Sequence, residues 1–334
     1  MQAVQLHQFG GPEVLVAGEV AAPVAGPGQV VVDVDVAGVN YIDTYHRTGL
    51  YPLQLPLVAG MEGVGRISQV GAGGPAPADA GRPDNGTTLT VGQRVVWLDV
   101  MGSYAEQLVA PAGRVVPVPD GLDDDSACAL ALQGATAHYL VTDTVRLRPG
   151  MTALVHAAAG GVGQLLVRLA VRAGAQVVAT VGSPEKAEIA RVAGAHHVLD
   201  SRSSDLLGAV TAAVGERAVD VVYDGVGQAT FELGLAVLRR RGTMVSFGNA
   251  SGPVPPVAPL RLAQNGSLYL TRPTLGDYVA TTAELTTRLT EVFALAVAGE
   301  LRPQIGLRLP LAQARAAHEA LESRSTTGKV LLAP

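Results

Sequence analysis

Two periodicities divide this chain. Up to about residue 120, apolar residues recur at every second position. Val30-Val31-Val32-Asp33-Val34-Asp35-Val36 sets valines against acids, the pattern of a strand with one solvated face. Gly92-Gln93-Arg94-Val95-Val96-Trp97 continues the texture, so this part is expected to be mainly β. Gly71–Thr90, crowded with Gly, Pro, Ala and Asp and without a period, is expected to be an exposed, mobile loop. From about 125 to 255 short apolar runs alternate with helical spacing. Ala153–Ala157 reads as a buried strand, Val162, Leu165, Leu166 and Leu169 as the buried face of a helix, and Gly174 as its stop. Gln176–Val181, Asp220–Tyr223 and Thr243–Phe247 are further strands, and a helix begins near Pro184. Strand, helix, strand, helix predicts an α/β architecture with a parallel doubly wound sheet. The last segment, about 262–334, is expected to return to the first domain and leave a cleft between the two. The expected organisation is therefore 123–261 for the α/β domain, with 1–122 and 262–334 together forming a substrate-side domain.

Composition narrows the classes. A length of 334 residues suits two domains, and 48% hydrophobic against 16% charged residues supplies a large core. No run approaches the ~18–20 apolar residues of a membrane span. Met1–Gly10 has no basic segment followed by an apolar one, so no secretory signal is read and the cytoplasm is the default location. The net charge of −5 without a basic run disfavours a nucleic-acid surface. The one cysteine, Cys128, lies in an apolar run and is expected to be buried and inert.

Ala157-Ala158-Ala159-Gly160-Gly161-Val162-Gly163 stands between the first strand of the α/β domain and its helix. Small residues there let backbone N–H groups approach a pyrophosphate at the positive end of a helix, the signature of a Rossmann dinucleotide domain. Domains that select NAD place an acid at the end of the second strand. Here that end reads Thr180-Val181-Gly182-Ser183-Pro184-Glu185-Lys186. Ser183 is a good N-cap, Pro184 a good first helical residue, and no acid stands three or four places from Lys186. This favours NADPH. The seven histidines are scattered. His196-His197 reads as a helix-to-strand corner, and nothing resembles a closed metal-ligand set.

Asn40-Tyr41-Ile42-Asp43-Thr44-Tyr45, Gly49-Leu50-Tyr51-Pro52, Leu132-Gln133-Gly134-Ala135-Thr136-Ala137-His138-Tyr139, the glycine turn, Val245-Ser246-Phe247-Gly248-Asn249, Leu270-Thr271-Arg272-Pro273 and Glu322-Ser323-Arg324 together carry a resemblance. On them the chain resembles the zinc-free quinone oxidoreductase (zeta-crystallin-like) branch of the medium-chain dehydrogenase/reductase superfamily. Zinc-dependent relatives carry a cysteine near Asn40 and a His-Glu pair near Met61-Glu62, and neither pattern is complete here.

The resemblance implies a GroES-like fold for the substrate-side domain and hydride transfer from NADPH to a quinone. It places Tyr41, Ile42, Asp43, Thr44 and Tyr45 beside the nicotinamide, and Tyr139 against the cofactor. Gly160, Gly161, Val162 and Gly163 fall at the pyrophosphate, with Gly182, Ser183 and Lys186 at the 2′-phosphate. Gly225 falls near the ribose. Phe247, Gly248, Asn249, Ala250, Arg272, Pro273, Thr274 and Leu275 hold the nicotinamide end, with Arg324 also reaching the cofactor. Close relatives have tyrosine at the position of Ser201; serine keeps a hydroxyl, and Arg202 beside it is expected to compensate for the lost ring. Asn40, Tyr45 and Tyr51 are expected to orient the quinone carbonyl, since a quinone accepts hydride readily and needs positioning more than a Lewis acid. Reduction of enones, alkenals or enoyl thioesters, and a non-catalytic NADPH-binding role, are the alternatives. A homodimer is expected, joined through Thr243–Phe247 as an edge strand.

Overall fold

The computed structural model describes residues 1–72 and 89–334. The expectation for Gly71–Thr90 therefore falls largely outside the described residues. The chain resolves into two compact units, Met1–Ala135 with Tyr278–Pro334, and Thr136–Asp277.

The first unit begins with β1 (Gln2–Leu6), β2 (Leu15–Glu19), β3 (Gln29–Val39), α1 (Tyr41–Thr48), β4 (Leu57–Val58), β5 (Glu62–Val70), β6 (Arg94–Leu98), β7 (Gln107–Pro111) and β8 (Val115–Pro117). Helix α2 (Asp124–Tyr139) follows and runs through the first crossover. The second unit contains β9 (Thr152–Val155), α3 (Gly161–Arg172), β10 (Gln176–Val181), α4 (Pro184–Val192), β11 (His197–Asp200), α5 (Leu206–Val214) and β12 (Val219–Asp224). It continues with α6 (Phe231–Val237), β13 (Leu238–Ser246), α7 (Pro259–Gln264), β14 (Tyr269–Thr271) and α8 (Leu275–Tyr278). The chain then returns to the first unit with α9 (Thr282–Val297), β15 (Ile305–Pro310), α10 (Ala314–Glu322) and β16 (Lys329–Ala333).

In the first unit seven strands form one sheet in the order β15-β16-β3-β5-β6-β8, with β7 also paired to β3; a small sheet β2-β1-β4 adjoins. The alternation read from 30–36 holds in part. Asp33 and Asp35 face solvent, while Val30, Val31 and Val32 are all buried, because β3 is covered on both faces at that end. Trp97, Tyr104, Ile67 and Leu332 lie in the core, and β16 pairs antiparallel with β3, which returns the C-terminus to this unit as expected.

In the second unit the sheet order is β11-β10-β9-β12-β13-β14, and every pairing is parallel. This is the doubly wound order, with its switch point between β9 and β12. Helix α3 buries Leu165, Leu166 and Leu169 against the sheet and ends at Gly174, whose φ of +79° suits a residue without Cβ.

Two expectations need correction. The α/β domain does not end at 261: β14 hydrogen-bonds to β13 through Thr243–Tyr269, Met244–Leu270 and Val245–Thr271, so the chain to Asp277 belongs with it. Its start likewise moves from 123 into α2, because that continuous helix carries residues of both units. For the same reason Thr243–Phe247 is not an edge. The edge beyond it is β14, a three-residue strand too short to announce itself by alternation.

Candidate active site

In the second unit the expected cofactor residues gather at the carboxyl ends of the parallel strands, where open α/β sheets bind their ligands. After β9 the chain turns at Ala157, in the left-handed region at φ +51°, and Gly160 caps α3. A Cβ on Gly163 would collide with the Ala157 carbonyl oxygen and stand 2.8 Å from Ala158 Cα. The third glycine is therefore required for α3 to close on the strand, and the first turn of α3 keeps its N–H groups for an anion.

At the end of β10, Ser183 caps α4 by accepting from the Lys186 backbone N–H at 3.3 Å. Gly182 faces Ser201, whose hydroxyl stands 3.7 Å from where a Gly182 Cβ would be. Gly182, Ser183 and Ser201 thus lie together at the partly exposed end of β10, and the Glu185 carboxylate hydrogen-bonds to the Ser183 side chain. Arg202 lies beside Ser201, its exposed guanidinium hydrogen-bonded twice to Asp200 at 3.1 Å.

Gly225, at the end of β12, packs on Phe247; a Cβ there would come within 2.9 Å of the ring. Ala250 N–H donates to the Gly225 carbonyl at 3.3 Å, which ties Phe247–Ala250 to the same place. Arg272, Pro273, Thr274 and Leu275 follow the end of β14, with Pro273 buried and Arg272 exposed. Tyr139 is buried at the end of α2. The floor of this region holds residues that sequence reasoning missed. His156 bonds Thr180 Oγ1 through Nδ1 at 2.9 Å, and burial lowers its pKa while the Asp224 carboxylate opposes that shift. Asp224 Oδ1 accepts from Val226 N–H, Gly227 N–H and Thr230 Oγ1, folding the loop after β12. The cradle, shaped by positions that refuse a Cβ, fits a dinucleotide.

In the first unit α1 brings Asn40, Asp43, Tyr41 and Tyr45 together. Tyr45 packs edge-on to Tyr51 with ring centroids 5.3 Å apart, and Tyr41 is 6.4 Å from Tyr45. Tyr41 donates to the Leu321 carbonyl at 3.0 Å, and burial raises its pKa. Ile42 is half-buried and Thr44 buried, its hydroxyl donating to the Tyr41 carbonyl. Arg324 is exposed after α10, at φ +57°.

Beneath α1 lies a buried polar network. Glu62 on β5 and Lys329 on β16 form an ion pair with no solvent exposure. Asn40 Nδ2 donates to Glu62 Oε2 at 2.7 Å, and Asn40 Oδ1 accepts from Lys329 Nζ at 2.9 Å and from Gln133 Nε2 at 3.2 Å. Asp43 Oδ2 accepts from the Asn40 backbone N–H at 2.8 Å and from Tyr104 OH at 3.0 Å, while Asp43 Oδ1 is buried without a partner. Burial pushes the Asp43 carboxyl up to about 7, against the pull of these hydrogen bonds and of Lys329. Arg47 Nη1 lies 3.3 Å from His318 Nδ1, and His318 Nε2 lies 3.2 Å from Tyr104 OH. Because a guanidinium only donates, Nδ1 of His318 accepts and Nε2 carries the proton. His318 is neutral, its pKa lowered to about 3 by burial and by Arg47. The donors therefore run in one direction, Arg47 to His318 to Tyr104 to Asp43.

Lys329 could have been noticed as a charge inside the apolar run Lys329-Val330-Leu331-Leu332-Ala333, and Glu62 as its opposite beside Gly63-Val64. No such signal marks His318 or Tyr104.

Two family models match, the alcohol dehydrogenase GroES-like domain over residues 26–120 and the zinc-binding dehydrogenase over 161–291. A quinone oxidoreductase of Pseudomonas aeruginosa is 41% identical over 99% of each chain. The chain belongs to the quinone oxidoreductase branch of the medium-chain dehydrogenase/reductase superfamily. A 2-haloacrylate reductase of a Burkholderia species is 37% identical over 100% of this chain and 99% of its own. The solved quinone oxidoreductase of Escherichia coli complexed with NADPH superposes with a TM-score of 0.93 at 39% identity, covering 100% of both chains.

The description of the second model raises the question of zinc. Among the described residues no group of three His, Cys, Asp or Glu could hold a metal ion. Near the places where zinc-dependent relatives carry a cysteine and a His-Glu pair this chain has Asn40 and Met61-Glu62, and Asn40 and Glu62 already share the ammonium of Lys329 as their cation. The residues do not fit a zinc site.

Proposed function

We propose that this protein is an NADPH-dependent quinone oxidoreductase acting without zinc. The observation that carries the reading is the cradle of Gly160–Gly163 and Gly182–Ser183 at the strand ends, in a chain matching quinone oxidoreductases over its whole length, one of them solved with NADPH. When bound, NADPH supplies the hydride. The first turn of α3 and Gly160–Gly163 hold the pyrophosphate, and Lys186 and Ser183 the 2′-phosphate. Gly225, Phe247–Ala250, Arg272–Leu275, Tyr139 and Arg324 are assigned to the rest of the cofactor. Asn40, Tyr45 and Tyr51 orient the quinone carbonyl by hydrogen bonding, and the aromatic surface of the two tyrosines suits a flat ring.

NADPH oxidation followed against a panel of ortho-quinones, para-quinones and enones tests the reading. Turnover of quinones supports it, and turnover confined to enones supports the double-bond reductase that the likeness to 2-haloacrylate reductase favours. No turnover with any of them leaves an NADPH-binding protein. We also place the enzyme in the cytoplasm, where NADPH is regenerated, as a homodimer. Among the described residues β14 is the open edge of its sheet, with Tyr269 61% exposed, and self-pairing there would cover it. Light scattering at micromolar concentration tests the dimer.

A further inference from the structure

We propose that the buried Glu62–Lys329 ion pair is a positioning device for the substrate: it fixes the Asn40 carboxamide so that an N–H, and not the oxygen, is the group left to meet a carbonyl. The proposal rests on the reading of Asn40 as a substrate contact.

The hydrogen-bond inventory of Asn40 leads to it. A carboxamide offers two lone pairs and two N–H groups. Both lone pairs are taken, by Lys329 Nζ and Gln133 Nε2, and one N–H goes to Glu62 Oε2. What remains is one donor, complementary to a quinone oxygen that gains negative charge as hydride arrives. The orientation is dictated by charge. An ammonium can only donate and a carboxylate can only accept, so turning the amide over would set N–H against Lys329 and oxygen against Glu62. Glu62 is itself held, with Oε1 accepting from the Leu132 N–H at 2.7 Å.

Asn40 is also the N-cap of α1 and forms a capping box with Asp43, whose Oδ2 accepts from the Asn40 backbone N–H at 2.8 Å. The box fixes the start of the helix, while the sense of the carboxamide is set by the charged partners Lys329 and Glu62. The backbone makes room for this arrangement. Gly38 lies on β3, between β5 and β16, and a Cβ there would strike the Glu62 carboxylate and come 2.7 Å from Lys329 Nζ. Burying two charges gains little stability over packed apolar residues, so a role in conformational choice accounts for the pair better than stability does.

A double-mutant cycle tests the proposal. The pair is neutralised by Glu62→Gln with Lys329→Met, Asn40 is removed by Asn40→Ala, and the triple variant closes the cycle. Steady-state kinetics with NADPH and one good quinone are read beside NADPH affinity and melting temperature. Neutralising the pair is expected to lower kcat/KM for the quinone by about tenfold, with NADPH affinity unchanged. In the Asn40→Ala background the same neutralisation is expected to change kcat/KM by less than about twofold, because a device acting through Asn40 has nothing left to position. Losses that multiply, or no loss on neutralising the pair while Asn40→Ala slows turnover, would overturn the positioning role alone. An unaffected Asn40→Ala variant would remove the substrate-contact reading and this proposal with it. Gly38→Ala, which displaces the pair by its Cβ without changing charge, is expected to show the same dependence on Asn40 and serves where the neutralised variant does not fold.

Discussion

Asp43→Asn should abolish a pH dependence of stability built into the first unit. Burial holds the Asp43 carboxyl at about 7 against an ordinary 3.8. Between those values the unfolded chain has lost the proton and the folded chain keeps it. The folded state then binds more protons, and stability falls as pH rises through the window. Above about 7 both states are ionised and the contribution is flat. From pH 5 to pH 8 the native protein should lose about 3 kcal/mol from this group alone. The variant is neutral in both states and loses nothing. Its amide oxygen can still accept from the Asn40 N–H and Tyr104 OH, and its nitrogen replaces Oδ1, which has no partner to lose. For a unit of this size the difference corresponds to a melting shift on the order of 5–10 °C. The assay is thermal unfolding by circular dichroism at pH 5 and pH 8, taken as variant minus native so that other titrating groups cancel. Parallel curves would show that Asp43 is ionised throughout, with Tyr104, the Asn40 N–H and Lys329 outweighing its burial.

The remaining predictions concern the cofactor and the chemistry. Lys186→Ala should weaken NADPH by about tenfold or more and leave NADH unchanged, since a charge-assisted contact to phosphate is worth ~1.5–3 kcal/mol; equal native affinities for the two would refute the assignment. Gly163→Ala should abolish NADPH binding measured by fluorescence, because its Cβ meets the Ala157 carbonyl rather than a side chain that could yield. Dialysis against a strong chelator should leave activity intact, and stoichiometric zinc lost together with activity would contradict the zinc-free reading. Tyr45→Phe should slow turnover at most about tenfold, whereas a loss of a thousandfold, with cofactor affinity unchanged, would make its hydroxyl a general acid.

The second unit was the more legible from sequence because its determinants are local. Gln176–Val181, the Ser183 cap and the Gly174 stop each follow from a few neighbouring residues, and the structure has them as read. Strand β14 was not legible: three residues carry no period, and only pairing to β13 makes them a strand. That omission shifted the domain boundary and misplaced the sheet edge. In the first unit Asn40 and Asp43 could be named from their motif. Their partners Lys329, Tyr104 and His318 lie 289, 61 and about 275 positions away in the chain, and only the fold brings them together.

The first unit directs its polar groups with one consistent sense. Arg47, His318 and Tyr104 pass hydrogen bonds toward Asp43, and Lys329 with Gln133 donates to Asn40. Both sets terminate in the first turn of α1, at residues three apart. The turn is thereby met by donors from beneath, and the Asn40 carboxamide cannot turn over without setting like against like. A quinone requires little activation to accept hydride, so an ordered N–H can contribute where a simple ketone would call for a metal. The Lys329 ammonium provides positive charge at that place without a coordination site open to the substrate. On this argument the enzyme should discriminate strongly against unactivated ketones, which need a Lewis acid that Asn40 cannot replace. Comparable turnover of a quinone and a simple aliphatic ketone would break the link between the network and the chemistry.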